Sequence, residues 1–185
     1  MNWPVVALAL YLTLGVELGS RAALTIAGSF VPSPLIALVA LIAAFAPMTA
    51  ALWIALLAGA LTDLTTPVAT TSGPTIVLGP SAVGFVVGTY AVLTIRGLFL
   101  RRHATSLVVL AVIAATCAGL TAAGLLAIRQ ITDSGFTLAG PQVISRLGSA
   151  LYTAIPAALL ALLWRRAMPL LGLNDPFARR WDRSG

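Results

Sequence analysis

The sequence predicts an all-α membrane protein, a polytopic bundle of about six short transmembrane helices. Of its 185 residues, 59% are hydrophobic and 9% are charged, whereas a soluble domain carries about 25% charged residues. Residues 22–62 and 64–95 contain no charged side chain, and a helix that crosses a bilayer needs roughly 20 apolar residues. Neither stretch alternates apolar and polar residues, so neither is typical of the strands of a transmembrane barrel.

Proline, glycine and charge divide residues 1–168 into the segments of this bundle and leave residues 169–185 as a basic cytoplasmic tail. The apolar stretch 35–62 is long for one span and contains Pro47, which breaks or kinks a helix. It is therefore either a hairpin of two short helices or one long kinked helix, giving six spans or five. Residues 63–80 form a polar loop rich in proline and glycine. The predicted segments are 3–27, 35–62, 81–100, 104–128 and 144–168.

The arginines predict the orientation of the bundle, because cytoplasmic loops of membrane proteins are enriched in basic residues. The chain has no lysine, and eight of its 11 basic residues lie either at and beyond the end of the span 81–100 or at and beyond the end of the last span. Two spans separate these groups, so both are cytoplasmic. With six spans the N-terminus and the C-terminus are cytoplasmic, in a multi-pass protein of the bacterial plasma membrane. The eight are Arg96, Arg101, Arg102, Arg165, Arg166, Arg179, Arg180 and Arg183.

The excess positive charge of the chain is thus expected on the cytoplasmic face. Eight arginines there stand against Asp175 and Asp182, which gives the whole net charge of +6, while three basic and three acidic residues remain outside. Such a face suits anionic lipids, at roughly 1 kcal/mol per arginine near the surface. Topology accounts for the charge, and no binding domain accompanies it, so nucleic acid is not an expected partner.

Asp63 ends a long apolar helix and is one of only five acidic residues. Ala51, Ala55 and Gly59 precede it at a spacing of four, and small residues at this spacing let helices approach closely in lipid. We therefore expect Asp63 to face other helices, where a buried carboxylate needs a partner. It then either clamps the outer ends of helices or takes part in contact with a partner protein. Its candidate partners are Arg21, Arg129, Arg146 and the loop at Thr65 and Thr66.

Small residues recur at this spacing in three other spans, where they predict close helix packing. Gly84 and Gly88 form a GxxxG pair in the span 81–100. Two further stripes run along the first span, from Gly15 and Gly19 to Ala23 and Ala27, and along the span 104–128, through Ala111, Ala115, Gly119, Ala123 and Ala127.

Glu17 and Arg21 lie four residues apart on the first helix and opposite its small-residue stripe. This spacing allows a local ion pair, and both faces of the helix are then expected to meet protein. An ionisable residue at membrane depth is also a candidate for function, so the pair is either self-satisfied or functional.

No catalytic, cofactor or metal site is predicted from the sequence. The single histidine, His103, lies in a basic loop without a nearby nucleophile, and the absence of lysine excludes a Walker A loop. The single cysteine, Cys117, allows no internal disulfide and is read as a packing residue.

The segment 59–102 resembles the middle of the MreD family, the membrane subunit of the rod-shape and cell-wall elongation complex. Members of this family show a G-x-x-x-D-L segment that closes a short helix. A loop with proline and glycine then leads into a glycine-containing span that ends in a basic turn. The positions that carry the resemblance are Gly59, Asp63, Leu64, Pro67, Gly79, Gly84, Gly88 and the cluster from Arg96 to Arg102.

The resemblance implies a non-enzymatic scaffold that regulates cell shape. It would bind an MreC-like periplasmic protein and help to organise peptidoglycan synthases. MreD-like proteins are similar in architecture to the substrate-binding subunits of energy-coupling-factor transporters, so the alternative is the substrate-binding subunit of a small-molecule, vitamin-type importer. That alternative predicts an occluded pocket near Asp63 and the loop to Pro80, with Phe85 and Tyr90 as the only nearby aromatic residues. A membrane enzyme or lipid flippase is a weaker third option.

Overall fold

The computed structural model describes residues 1–24, 30–70, 73–98, 104–133, 137 and 142–173, and this part of the chain is mostly helical. A two-stranded antiparallel hairpin pairs Val68 with Thr75 and Thr70 with Gly73 in the segment predicted as a loop. The elements are α1 Trp3–Leu24, α2 Pro34–Phe45, α3 Met48–Thr65, β1 Val68–Thr70, β2 Gly73–Thr75, α4 Pro80–Ile95, α5 Ala104–Thr132, α6 Gln142–Tyr152 and α7 Ala154–Leu170.

Helix α2 is the centre of the molecule. Every residue from Leu35 to Ala44 is buried, as expected for a helix that is apolar all round. Pro34 occupies the first turn and the Ser33 side chain accepts a hydrogen bond from the Ile36 amide, an arrangement that favours a helix start. With 12 residues, α2 is about 18 Å long. It is shorter than the roughly 30 Å apolar core of a bilayer.

Pro47 separates α2 from α3 and turns the chain back on itself. The last turn of α3, at Asp63, borders the same cavity as Ser33 at the start of α2. The two helices therefore run in opposite directions, because the start of one lies beside the end of the other. Of the two alternatives for residues 35–62, the structure contains a hairpin of two separate helices, of which α2 is short and α3 has 18 residues.

The described helices run between two ends of the bundle. At one end, the arginine end, the Asn2 amide donates to the Leu171 carbonyl (2.9 Å) and Arg96 contacts the end of α2. At the other, the cavity end, Glu17 and Asp63 border one cavity. Successive helices alternate in direction between these ends, with α6 and α7 forming one traverse interrupted at Thr153.

Among the described residues, three segments are long and apolar enough to cross a membrane: Met48–Thr65, Ala104–Thr132 and Val143–Trp164. The remaining apolar helices, Trp3–Gly19, Pro34–Phe45 and Pro80–Ile95, are shorter. The expectation of a membrane protein is thus supported by three candidate spans. The predicted helix that ended at residue 168 continues to Leu170 as α7, and residues 174–185 of the predicted tail lie outside the described residues.

Small residues set the contacts of α4 with its neighbours. A side chain at Gly84 would have its Cβ 2.5 Å from the Ala118 carbonyl oxygen, and one at Gly88 would meet the Ala114 carbonyl. A Cβ at Gly59 would lie 2.5 Å from the Cα of Ala82. The stripe that ends at Asp63 is buried, as its spacing predicts, and α4 and α5 meet at the GxxxG pair.

The stripe predicted on α1 is wrong in the part that the structure describes. A Cβ at Gly15 or Gly19 would have no atom within 4 Å, so neither glycine serves a close helix contact. The helix instead buries Val6, Leu10 and Leu14 on another face, since these larger side chains remove more apolar area from the surroundings. Ala27 and the side chain of Ala23 lie outside the described residues.

Arg96 ends α4 and binds the carbonyl end of α2. Its guanidinium donates to the carbonyl oxygens of Ala43 (2.9 Å) and Ala46 (2.7 Å). The final carbonyls of a helix lack partners within the helix and carry partial negative charge. Arg96 supplies both hydrogen bonds and a compensating charge to the short central helix.

Replacing Arg96 with methionine is expected to lower the free energy of unfolding by about 1–2 kcal/mol, because two carbonyls lose a charged donor. Unfolding in detergent, followed by circular dichroism, measures the change. Arg166→Met is the matched control, since Arg166 is exposed, and it is expected to change stability by less than about 0.5 kcal/mol. Equal effects of the two substitutions would show that the carbonyl contacts are unimportant.

Candidate functional site

A polar cavity of about 340 Å³ lies at the cavity end, between α1, α2, α3, α4, α5 and α6. Its walls carry two carboxylates, one guanidinium and several hydroxyl groups, whereas most of the buried residues that the structure describes are apolar. Its volume is at the lower end of the roughly 300–1,000 Å³ typical of small-molecule sites. The charged residues in its walls are Glu17, Asp63 and Arg146.

Asp63 binds the first amides of α4. Its Oδ2 accepts hydrogen bonds from the amides of Gly79 (2.8 Å) and Ala82 (3.2 Å), and its Oδ1 accepts one from Ser81 (3.0 Å). These amides have no partner within the helix, and the helix dipole adds positive charge at the same place. A carboxylate contributed by α3 therefore acts as the N-terminal cap of α4.

The predicted partners of Asp63 supply none of its hydrogen bonds in the described part of the chain, and the side chain of Arg21 lies outside that part. Among the described residues no arginine forms an ion pair with Asp63, and the hydroxyls of Thr65 and Thr66 donate to carbonyls of α3. The physical reason is that three amides at a helix N-terminus neutralise a carboxylate without any cation. Arg146 lies close enough for the two opposite charges to attract each other.

Glu17 has the same role at the start of α2. Its Oε2 accepts hydrogen bonds from the Ser33 hydroxyl (2.9 Å) and the Leu35 amide (3.2 Å). Only 3% of Glu17 is exposed, against 4% of Asp63. The predicted pair with Arg21 involves a side chain outside the described part of the chain, so that pairing stays a prediction.

The two carboxylates follow one pattern in the sequence. Glu17 bonds to residues 16 and 18 positions further on, and Asp63 does the same. A proline that starts a helix stands 17 positions after each acid, at Pro34 and Pro80. Sequence reasoning missed this repeat, although the two acid-to-proline spacings could have revealed it.

Arg146 projects from α6 into the same cavity. Its Nε is buried and, within the described part of the molecule, has no hydrogen-bond partner. The Cβ of Arg146 lies against Gly119 of α5. A side chain at position 119 would place its own Cβ only 3.2 Å from the Cβ of Arg146. The absence of a side chain at Gly119 thus lets α6 bring its arginine to the cavity wall.

Four hydroxyl groups of the cavity differ in the bonds they make. The Ser33 hydroxyl donates to Glu17, and the Thr153 hydroxyl donates to the Ser149 carbonyl while accepting from the Ser33 amide. The Ser149 hydroxyl oxygen accepts from the Val31 amide. In contrast, the hydroxyl hydrogens of Ser81 and Ser149 have no acceptor among the described residues and remain free to donate.

The other predicted site residues divide between packing and surface. Pro67 lines the cavity, whereas Arg129 is exposed on the last turn of α5 and does not line it. Gly59, Gly84 and Gly88 serve the helix contacts described above. Of the two aromatic residues expected near a pocket, Phe85 lines the cavity and Tyr90 is exposed.

The arrangement is suited to binding. The oxygens of Glu17 and Asp63 accept bonds from helix N-termini, and the donors left over belong to Arg146, Ser81 and Ser149. Within the described ranges, no three His, Cys, Asp or Glu residues lie close enough to hold a metal ion. Comparisons with protein-family models, with curated proteins and with solved structures find nothing that matches this chain.

Proposed function

We propose that this protein is a non-enzymatic membrane scaffold of the cell-wall elongation machinery, of the MreD type, that takes part in the regulation of cell shape. The observation that carries the proposal is the segment from Gly59 to the Arg96–Arg102 cluster, which resembles that family. Its distinctive residues are also those that join α3, α4 and α5. Asp63 caps α4, and Gly84 lets α4 approach α5.

The same proposal includes six spans with both termini in the cytoplasm of a bacterial cell. The alternating direction of the helices supports six traverses, and the basic residues favour a cytoplasmic position for the arginine end. The cavity end then faces outward. The short helices α2 and α4 would end within the membrane, which is consistent with their N-termini being capped by buried carboxylates.

Partner recognition would use helix faces within the lipid, where shape and a few polar groups select a neighbour. Helix α1 offers such a face, with large exposed apolar side chains at Leu8, Tyr11, Leu12 and Val16. By resemblance, the partners are an MreC-like periplasmic protein and peptidoglycan synthases. Anionic lipids would lie against the arginine end.

Deleting the gene in a rod-shaped host is expected to produce rounded cells with reduced lateral wall insertion. A plasmid carrying the wild-type gene should restore the rod shape. The tagged protein, purified in mild detergent, is expected to carry a coiled-coil wall protein with it. Normal cell shape and normal lateral insertion after deletion would contradict the proposal.

The cavity supports a second function, the substrate-binding subunit of a small-molecule importer. The sequence predicts an occluded pocket near Asp63 and Pro80 for such a subunit; the cavity includes both residues but is partly open. Co-purification of a pair of ATPase subunits, together with tight binding of a vitamin-type molecule, would favour this function over the scaffold.

A further inference from the structure

Three charged side chains face the cavity, and two of them already have partners. Glu17 binds the start of α2 and Asp63 binds the start of α4, so each negative charge lies on the positive end of a helix. Helix N-termini stabilise anions through their free amides and their dipole. Arg146 is different, because its Nε is buried without a hydrogen-bond partner among the described residues.

We propose that the cavity binds a singly charged phosphate group through the guanidinium of Arg146. The proposal goes beyond the scaffold function and does not depend on it, since it rests on the cavity alone. Buried polar groups in native proteins are nearly always hydrogen-bonded. A planar guanidinium binds phosphate or carboxylate oxygens with two parallel hydrogen bonds.

The hydroxyls in the cavity fit an anion with several oxygens. Ser81 and Ser149 line the cavity, and neither hydroxyl donates a hydrogen bond to another described residue, although the Ser149 oxygen accepts one from the Val31 amide. A phosphate presents more acceptor oxygens than a carboxylate, so it can use the guanidinium and both hydroxyls together. No second cation lines the cavity in the part of the chain that the structure describes, which favours a phosphodiester with one charge over a phosphate with two.

The phosphodiester can come from a lipid headgroup or from a soluble molecule, and the binding chemistry is the same for both. The cavity volume of about 340 Å³ accommodates a headgroup, whereas two acyl chains would have to lie outside it. Phosphatidylglycerol, its acyl-free headgroup glycerophosphoglycerol and a diacylglycerol without phosphate therefore form a matched set of probes.

The test uses the full chain, purified in detergent and stripped of lipid. Native mass spectrometry measures retention of phosphatidylglycerol and diacylglycerol, and calorimetry measures binding of glycerophosphoglycerol. Arg146→Gln is expected to weaken binding of the phosphate probe by about tenfold or more, because a charged hydrogen-bond donor is lost. Arg129→Gln is the control, an exposed arginine outside the cavity, and is expected to change binding by less than about twofold.

The outcomes distinguish a lipid headgroup from a soluble phosphodiester, and distinguish both from the absence of an Arg146 site. Phosphatidylglycerol retention that depends on Arg146, without binding of the soluble headgroup, assigns the site to a lipid. Arg146-dependent binding of glycerophosphoglycerol assigns it to a soluble phosphodiester. Equal binding by wild type and Arg146→Gln, or equal losses in Arg146→Gln and Arg129→Gln, would overturn the proposal.

A conservative variant keeps the test decisive if Arg146→Gln does not fold. Arg146→Lys retains the charge but removes the planar guanidinium and its Nε. It is expected to bind the phosphate probe more weakly than wild type. Binding as strong as that of wild type would overturn the assignment of the guanidinium. Because the proposal concerns the isolated chain, a normal cell shape after gene deletion would reject the scaffold function and leave this result unaffected.

Discussion

Replacing Asp63 with alanine is expected to lower the free energy of unfolding by about 2–4 kcal/mol, since three helix amides lose their charged acceptor. The amides belong to Gly79, Ser81 and Ala82. A carboxylate contributed by another helix does two things at once: it caps α4 and ties α4 to the end of α3. The substitution therefore acts on the packing of two helices as well as on one helix end.

The change is measured by unfolding in mixed micelles, with helix content as the observable. Asp63→Asn keeps one acceptor oxygen but not the charge. It is therefore expected to lower the free energy of unfolding by less than Asp63→Ala does. Asp133→Ala is the matched control, because Asp133 is an exposed acid that follows α5, and it is expected to cost less than about 0.5 kcal/mol. Full stability of Asp63→Ala would mean that water satisfies the amides as well as the carboxylate does.

The burial of Asp63 could be predicted from the sequence, but its partners could not. Small residues at a spacing of four place Asp63 on the face that packs against protein, and that face is buried. Its partners are backbone amides, which every residue except proline possesses, so no residue type marks them. Charge complementarity in the sequence indicates an arginine partner and offers three candidates. The positive group that binds Asp63 is instead the N-terminus of α4.

The small-residue stripes illustrate a second limit. The stripes of α1 and α4 look alike in sequence, yet only Gly84 and Gly88 contact another backbone closely. Whether a stripe is used depends on what lies opposite, and α4 faces an alanine-rich helix whose carbonyls are accessible. Gly15 and Gly19 face no such surface among the described residues. Periodicity identifies a face, but tertiary packing decides its partner.

The cavity also arises from tertiary packing. Its three charges are distributed over α1, α3 and α6, and 129 positions separate Glu17 from Arg146. Counting the predicted spans along the sequence predicts that all three lie towards one side of the membrane. The sequence does not distinguish Arg146, whose Nε is buried without a hydrogen-bond partner among the described residues, from the exposed Arg129, because both follow largely apolar helical segments.

Introducing a methyl group at Gly84 is expected to destabilise the bundle by about 1–3 kcal/mol through overpacking. The Cβ of Gly84→Ala would lie 2.5 Å from the Ala118 carbonyl oxygen. That oxygen belongs to the backbone of α5, so it cannot rotate away as a side chain could. Relief requires α4 and α5 to separate.

Gly124→Ala is the control for this substitution, since Gly124 lies on α5 and a Cβ there would have no atom within 4 Å. Alanine is favoured over glycine in a helix by about 1 kcal/mol, so Gly124→Ala is expected to stabilise or leave the protein unchanged. Opposite signs for the two variants in the same unfolding assay isolate the contact between the helices. Equal signs would mean that α4 and α5 are not held at the distance described here.

Separating α4 from α5 should also alter the cavity. Phe85 is adjacent to Gly84, and both Phe85 and Ala118 line the cavity wall. Gly84→Ala is therefore expected to alter binding of the phosphate probe as well as to lower stability. Gly124→Ala is expected to weaken neither the binding of the probe nor the stability of the protein. A Gly84→Ala protein that is less stable but binds the probe as wild type does would show that helix spacing and the Arg146 site are independent.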